Sequence, residues 1–142
     1  MIVVPETVKG LVFDCDGTIA DTMPLHYQAW LQALTPHGVE FPEALFYEFG
    51  GIPTDKIIEI LNERHGHAMP VQETAHYKEA LFEALIPQIT PIEPIVKVVR
   101  EFHGRLPMAV ATGGYRKICE KTLRSMNLLQ YFRCHPNKVK KS

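Results

Sequence analysis

Apolar residues in this chain fall into two kinds of run. Val8-Lys9-Gly10-Leu11-Val12-Phe13 is short, continuous rather than alternating, and leads straight into acidic residues. That pattern predicts a strand buried on both faces, as in a parallel sheet. A second run of this kind, Leu106-Pro107-Met108-Ala109-Val110-Ala111, ends in Thr112-Gly113-Gly114. In open α/β sheets ligands gather beyond the carboxyl ends of strands, so the two turns are expected to converge.

Between and after these runs the spacing becomes helical. Leu25, Ala29, Trp30, Ala33 and Leu34 predict a helix that stops at His37-Gly38. Thr54 is the expected N-cap of a helix carrying Ile57, Ile58 and Leu61 as far as Gly66. From about Pro70 to Ile86 a third helix is expected to bury Leu81, Phe82 and Leu85, with Pro87 and Pro91 marking a linker. Pro94 opens a helix with Ile95, Val98, Val99 and Phe102 inward, and Ile118, Cys119, Leu123 and Met126 define one more. The expected fold class is α/β. A partial Rossmann-like parallel-sheet core (residues 1–21 and 89–142) carries an inserted helical cap subdomain (residues 22–88). Two strands are fewer than the roughly four to six of an ordinary sheet, so the core is expected to be incomplete.

Composition narrows the function classes. A formal net charge of -1 over 142 residues, without a long basic run, argues against nucleic acid or a membrane surface as partner. The cluster Lys138-Val139-Lys140-Lys141 is expected to be a solvated tail. Cys15, Cys119 and Cys134 are not closely paired and read as reduced thiols of a cytoplasmic protein. The start Met1-Ile2-Val3-Val4 lacks the charged and long apolar regions of a signal peptide.

The chemistry concentrates in Asp14-Cys15-Asp16-Gly17-Thr18. Strand alternation places Asp14 and Asp16 on one side and Cys15 on the other, facing the core. Two adjacent carboxylates are costly without a cation, and hard oxygen donors suit Mg²⁺. One carboxylate would then attack phosphorus while the other moves a proton. Spacing alone leaves a second reading equally open, a polar strand-end turn with an Asx cap.

The stretch from Leu11 to Thr22, with Asp14, Asp16, Gly17, Thr18, Asp21 and Thr22 in place, resembles the first motif of the haloacid dehalogenase superfamily, DxDGTxxDT. The resemblance implies that Asp14 is the nucleophile that becomes phosphorylated. It implies that Asp16 is the general acid/base, with its backbone carbonyl and Asp14 as Mg²⁺ ligands. Thr112 and Gly113 resemble the second motif, which binds the transferred phosphoryl group. His26 to Trp30 and the turn Gly50-Gly51-Ile52-Pro53-Thr54 resemble the β-phosphoglucomutase-like group and its sugar-phosphate phosphatase relatives. There the cap closes over the core, which makes His26, Gly51 and Thr54 candidate substrate contacts. Thr54-Asp55 stands where mutases of this group tend to carry basic residues, which favours a monophosphate substrate.

The resemblance runs from about Lys9 to Phe132. The lysine and the later acidic motif of the family are expected beyond that point and have no counterpart in strand-turn context. Lys138, Lys140, Lys141, Arg116 and Lys117 are the available stand-ins. Three readings remain open. The first is a Mg²⁺-dependent phosphatase acting on a small phosphorylated metabolite, with activity impaired by the absent motifs. The second is a non-catalytic oligomeric phosphate-binding remnant, and the third is a β-phosphoglucomutase-type mutase. A bare apolar sheet edge also predicts a homodimer, by edge pairing or tail exchange. Sedimentation at micromolar concentration tests this, and a monodisperse monomer counts against it.

Overall fold

The computed structural model describes residues 2–132. Lys138, Lys140 and Lys141 lie outside the described residues. Strand β1 (Leu11–Asp14) pairs in parallel with β4 (Met108–Ala111), with Leu11 opposite Met108 and Asp14 opposite Ala111. Both strands therefore end at the same side of the sheet. Helices α5 (Glu93–Phe102) and α6 (Arg116–Ser125) pack Val96, Val99 and Leu123 against it, around buried Met108, Leu128 and Cys15.

The other helices form a unit between β1 and α5. They are α1 (Met23–Leu34), α2 (Glu43–Glu48), α3 (Thr54–His65) and α4 (Val71–Leu85). Their core joins Trp30, Leu34, Phe41, Phe46, Phe49, Ile58 and Leu61. Rings make much of this packing; Trp30 and Phe46 both lie against Phe41, with centroids 5.5 and 6.3 Å away. The two connections to this unit, β2 (Ala20–Asp21) and β3 (Thr90–Pro91), pair with each other in antiparallel fashion. Ile92 also donates its N–H to the Ile19 carbonyl at 2.8 Å. Chain exit and chain return are thus clasped side by side.

Three local expectations are corrected. Thr54 is not an N-cap: Pro53 holds that position, and the Thr54 hydroxyl instead donates to Glu79 Oε1 at 2.6 Å. β1 is not buried on both faces, because Val12 is 73% exposed and among the described residues no element covers it. On α4, Phe82 is fully buried but Leu81 and Leu85 are only half-buried, and the inward face continues through Lys78 and Glu79. α2 and the β2–β3 pair are additions that hydrophobic spacing did not predict. Among the described residues no helix is long and apolar enough to cross a membrane.

Phe82 is central to this arrangement. It is wholly buried in the sheet-side core and stacks on the His26 ring, with centroids 3.7 Å apart and planes 5° from parallel. Phe82→Ala is expected to lower unfolding free energy by about 3–5 kcal/mol. Urea denaturation measures this, and a loss under about 1 kcal/mol would show that the site collapses to fill the gap.

Candidate active site

The turn after β1 is built from backbone bonds. The Cys15 carbonyl accepts from the N–H groups of Thr18, Ile19 and Ala20 at 3.2, 3.0 and 3.1 Å, and Gly17 N–H donates to the Ala20 carbonyl at 2.8 Å. Closing so tight a loop requires φ of +76° at position 17, which glycine adopts without penalty. Cys15, 1% exposed, points into the core, while Asp14 and Asp16 emerge on the opposite side. The neighbouring Cys119 thiol and burial push the Cys15 pKa far up, so it stays a neutral packing thiol.

Asp16 is held from several directions. Its Oδ1 accepts from the Thr22 hydroxyl at 2.6 Å and lies 3.0 Å from His26 Nε2. The other ring nitrogen, Nδ1, lies 2.8 Å from Lys78 Nζ on α4. An ammonium can only donate, so Nδ1 is the acceptor and the proton sits on Nε2, facing Asp16. Lys78 also donates to Glu79 Oε1 at 3.1 Å and stands 5.3 Å from the centre of the Trp30 ring. Burial alone would raise the Asp16 pKa, but the bond from His26, the Thr22 hydroxyl and the Lys78 charge outweigh it and hold it below the ordinary value. Burial, then the Lys78 charge, push His26 below its ordinary value against the pull of Asp16. Burial likewise lowers Lys78, opposed chiefly by Glu79.

The turn after β4 faces the same space. Thr112 Oγ1 accepts from the Gly114 N–H at 3.1 Å, which leaves its own O–H available to a ligand. Gly113 lies against the backbone of Gly51 in the turn before α3, so closely that a Cβ at 113 would overlap the Gly51 carbonyl. Here the sheet-side loop and the helical unit meet through main chain alone.

These elements enclose a cavity of about 320 Å³. Asp14, Asp16, His26, Gly51, Thr54, Thr112 and Gly113 all line it. Arg116 and Lys117 do not line it; Arg116 Nε bonds Glu120 on its own helix at 2.7 Å. Sequence reasoning missed Lys78, Glu79 and Tyr115, which share the wall. Their signal was faint. Lys78 precedes Phe82 by one helical turn, which places a charge in phase with the apolar face of α4.

Comparison with known proteins adds ancestry to this geometry. The family model described as haloacid dehalogenase-like hydrolase matches residues 11–135. The fructose-1-phosphate phosphatase YqaB of Escherichia coli is 37% identical over 128 residues, covering 89% of this chain and 68% of that protein. The 6-phosphogluconate phosphatase of the same organism is 25% identical over 130 residues, covering 88% of this chain and 57% of its own length. Among solved structures, β-phosphoglucomutase of Clostridium difficile superposes with a TM-score of 0.76 at 19% identity, covering 96% of this chain and 65% of that one, a likeness of fold.

The depressed His26 pKa has a consequence for stability. Below the ordinary histidine value of 6.5 the unfolded chain takes up a proton that folded His26 resists, so stability falls as pH drops through that value towards the folded one. Asp16 acts in the same direction only lower, below 3.8, where its favourable ionised state is lost. Urea midpoints at pH 7.5 and 5.5 are therefore expected to fall for the wild type. They should fall less for His26→Gln, which keeps an N–H for Asp16 but cannot protonate. An equal fall in both proteins would assign the effect elsewhere.

Proposed function

The chain belongs to the haloacid dehalogenase-like hydrolase family, and we propose that it serves as a phosphomonoester hydrolase acting on a small sugar-phosphate-like ester through an aspartyl-phosphate. The observation that carries this reading is the convergence of Asp14, Asp16 and Thr112 on one cavity. Phosphatases named for fructose 1-phosphate and 6-phosphogluconate among the relatives support the substrate class. The chain spans only part of each relative's length, 68% and 57% respectively, so the activity is proposed for the site described here.

In this reading Asp14 attacks phosphorus and the ester bond breaks, and the leaving oxygen takes its proton from the minor protonated form of Asp16, which the low pKa of this carboxyl keeps scarce and which the water of the second step restores. Water, deprotonated by Asp16, then attacks the phosphorus of the acyl phosphate and releases phosphate. Thr22 and His26 occupy Oδ1 of Asp16, and among the described residues Oδ2 has no partner and is left to the reacting oxygen. The Thr112 hydroxyl and the loop N–H groups would hold the phosphoryl oxygens. Residues 22–88 act as the cap, with His26, Gly51 and Thr54 on its side of the cavity.

Mg²⁺ is part of the proposal. The donors present fit it: the Asp14 carboxylate stands at an exposed strand end, and the Asp16 carbonyl accepts none of the loop's backbone bonds among the described residues. When bound, the ion would offset negative charge on the phosphoryl group. A homodimer and a cytoplasmic setting complete the reading. β1 hydrogen-bonds only to β4 among the described residues and exposes Val12, which supports edge pairing, while Cys15 and Cys119 are free thiols.

Mg²⁺-dependent phosphate release from a panel of sugar monophosphates tests the reading beside Asp14→Asn. The wild type is expected to turn over at least one ester, and the variant to lose about three orders of magnitude or more. Equal background from both proteins would overturn it.

A further inference from the structure

The wall of the cavity contributed by α3, α4 and the turn before α3 has a distinctive chemistry. Glu79 is 7% exposed, yet lines the cavity. Its Oε1 takes both available donors, the Thr54 hydroxyl at 2.6 Å and Lys78 Nζ at 3.1 Å. Among the described residues no donor reaches Oε2. That oxygen is not sealed in the core, since among the described residues the buried side-chain polar atom without a partner is Thr74 Oγ1; it opens on the cavity and is left for a ligand donor.

The cations near it do not offset a second anion. Lys78 and His26 are the basic side chains lining the cavity among the described residues. Lys78 directs two of its three donors to His26 and Glu79 and rests on Trp30, and His26 spends its N–H on Asp16. The remaining cover is apolar, from Met23, Phe46, Phe49, Ile52 and Ile57. Tyr115 brings a hydroxyl to this wall, and burial together with Asp55 and Glu79 raises its pKa, so it remains a neutral donor and acceptor.

We propose that Glu79 is the specificity-determining residue of the site, its Oε2 accepting a hydroxyl from the non-phosphorylated end of the substrate. That end is then a neutral polyhydroxy chain. A distal carboxylate or second phosphate is refused, because it would face the Glu79 charge where Lys78 and His26 are already paired. The inference rests on the phosphatase reading and narrows it.

Isothermal titration in Mg²⁺ buffer tests it on the full chain with four probes: inorganic phosphate, a hexitol monophosphate, a hexonate monophosphate and a hexose bisphosphate. The wild type is expected to bind the hexitol ester roughly 10- to 100-fold more tightly than either probe with an anionic distal end, the range expected of a bond to a charged acceptor. In Glu79→Gln, which retains an acceptor for Thr54, that ratio should shrink at least about fivefold. Equal affinity of the wild type for neutral and anionic ends overturns the inference without recourse to any variant. So does a Glu79→Gln protein that weakens all four probes alike, since that marks a structural role. Failure of inorganic phosphate to bind the wild type is a separate result: it removes the phosphatase reading itself, and the specificity with it.

Discussion

The contact on which this molecule turns is the hydrogen bond between His26 and Asp16, continued by Lys78. It joins three separate elements: the loop after β1, the first turn of α1 and the middle of α4. Each partner supplies what the next one lacks. The ammonium fixes the imidazole tautomer, and the imidazole N–H then fixes one oxygen of the carboxylate. A buried charge normally works against a fold, yet here Lys78 lies between Glu79 and the aromatic faces of Trp30 and Phe82. The chain therefore holds together only when the helical unit is seated on the sheet. Position of the carboxylate and position of the helices are one constraint.

The clasp between β2 and β3 explains how that seating is achieved at little entropic cost. Because exit and return are paired, the helical unit is attached at one narrow base. The pairing is short, two residues on each side, and would not be stable alone. Buried Ile19 and Ile89 on either flank supply the apolar contact that it lacks. Lys121 on α6 and Glu83 on α4 add an ion pair across the same junction.

What could be read from the sequence was what is local. Asp14 to Thr18 fold within one turn, so their residue types disclosed the loop, the glycine requirement and the direction of both carboxylates. The continuous apolar runs disclosed the parallel strands, because such strands carry little alternation. Lys78 was not legible, since its partner His26 is 52 positions away and a lysine on an amphipathic helix ordinarily faces water. Thr54 misled for a related reason: its helix-start position suggested a cap, but the long-range bond to Glu79 outcompeted the local one. Val12 misled because hydrophobicity predicts the wish to be covered and not the cover.

The meeting of Gly51 with Gly113 fixes a dimension of the cavity in a way side chains could not. Main chain against main chain has no rotamers to adjust, so the clearance between the two layers at this point works as a gauge. A ligand too tall for it finds no side chain there that can swing aside. Accommodation of differently sized ligands must therefore run laterally, through Phe46, Phe49, Ile52 and Trp30, whose volumes can change by substitution without lifting the roof. In such a site the height is written in the backbone and only the width is left to the choice of residues.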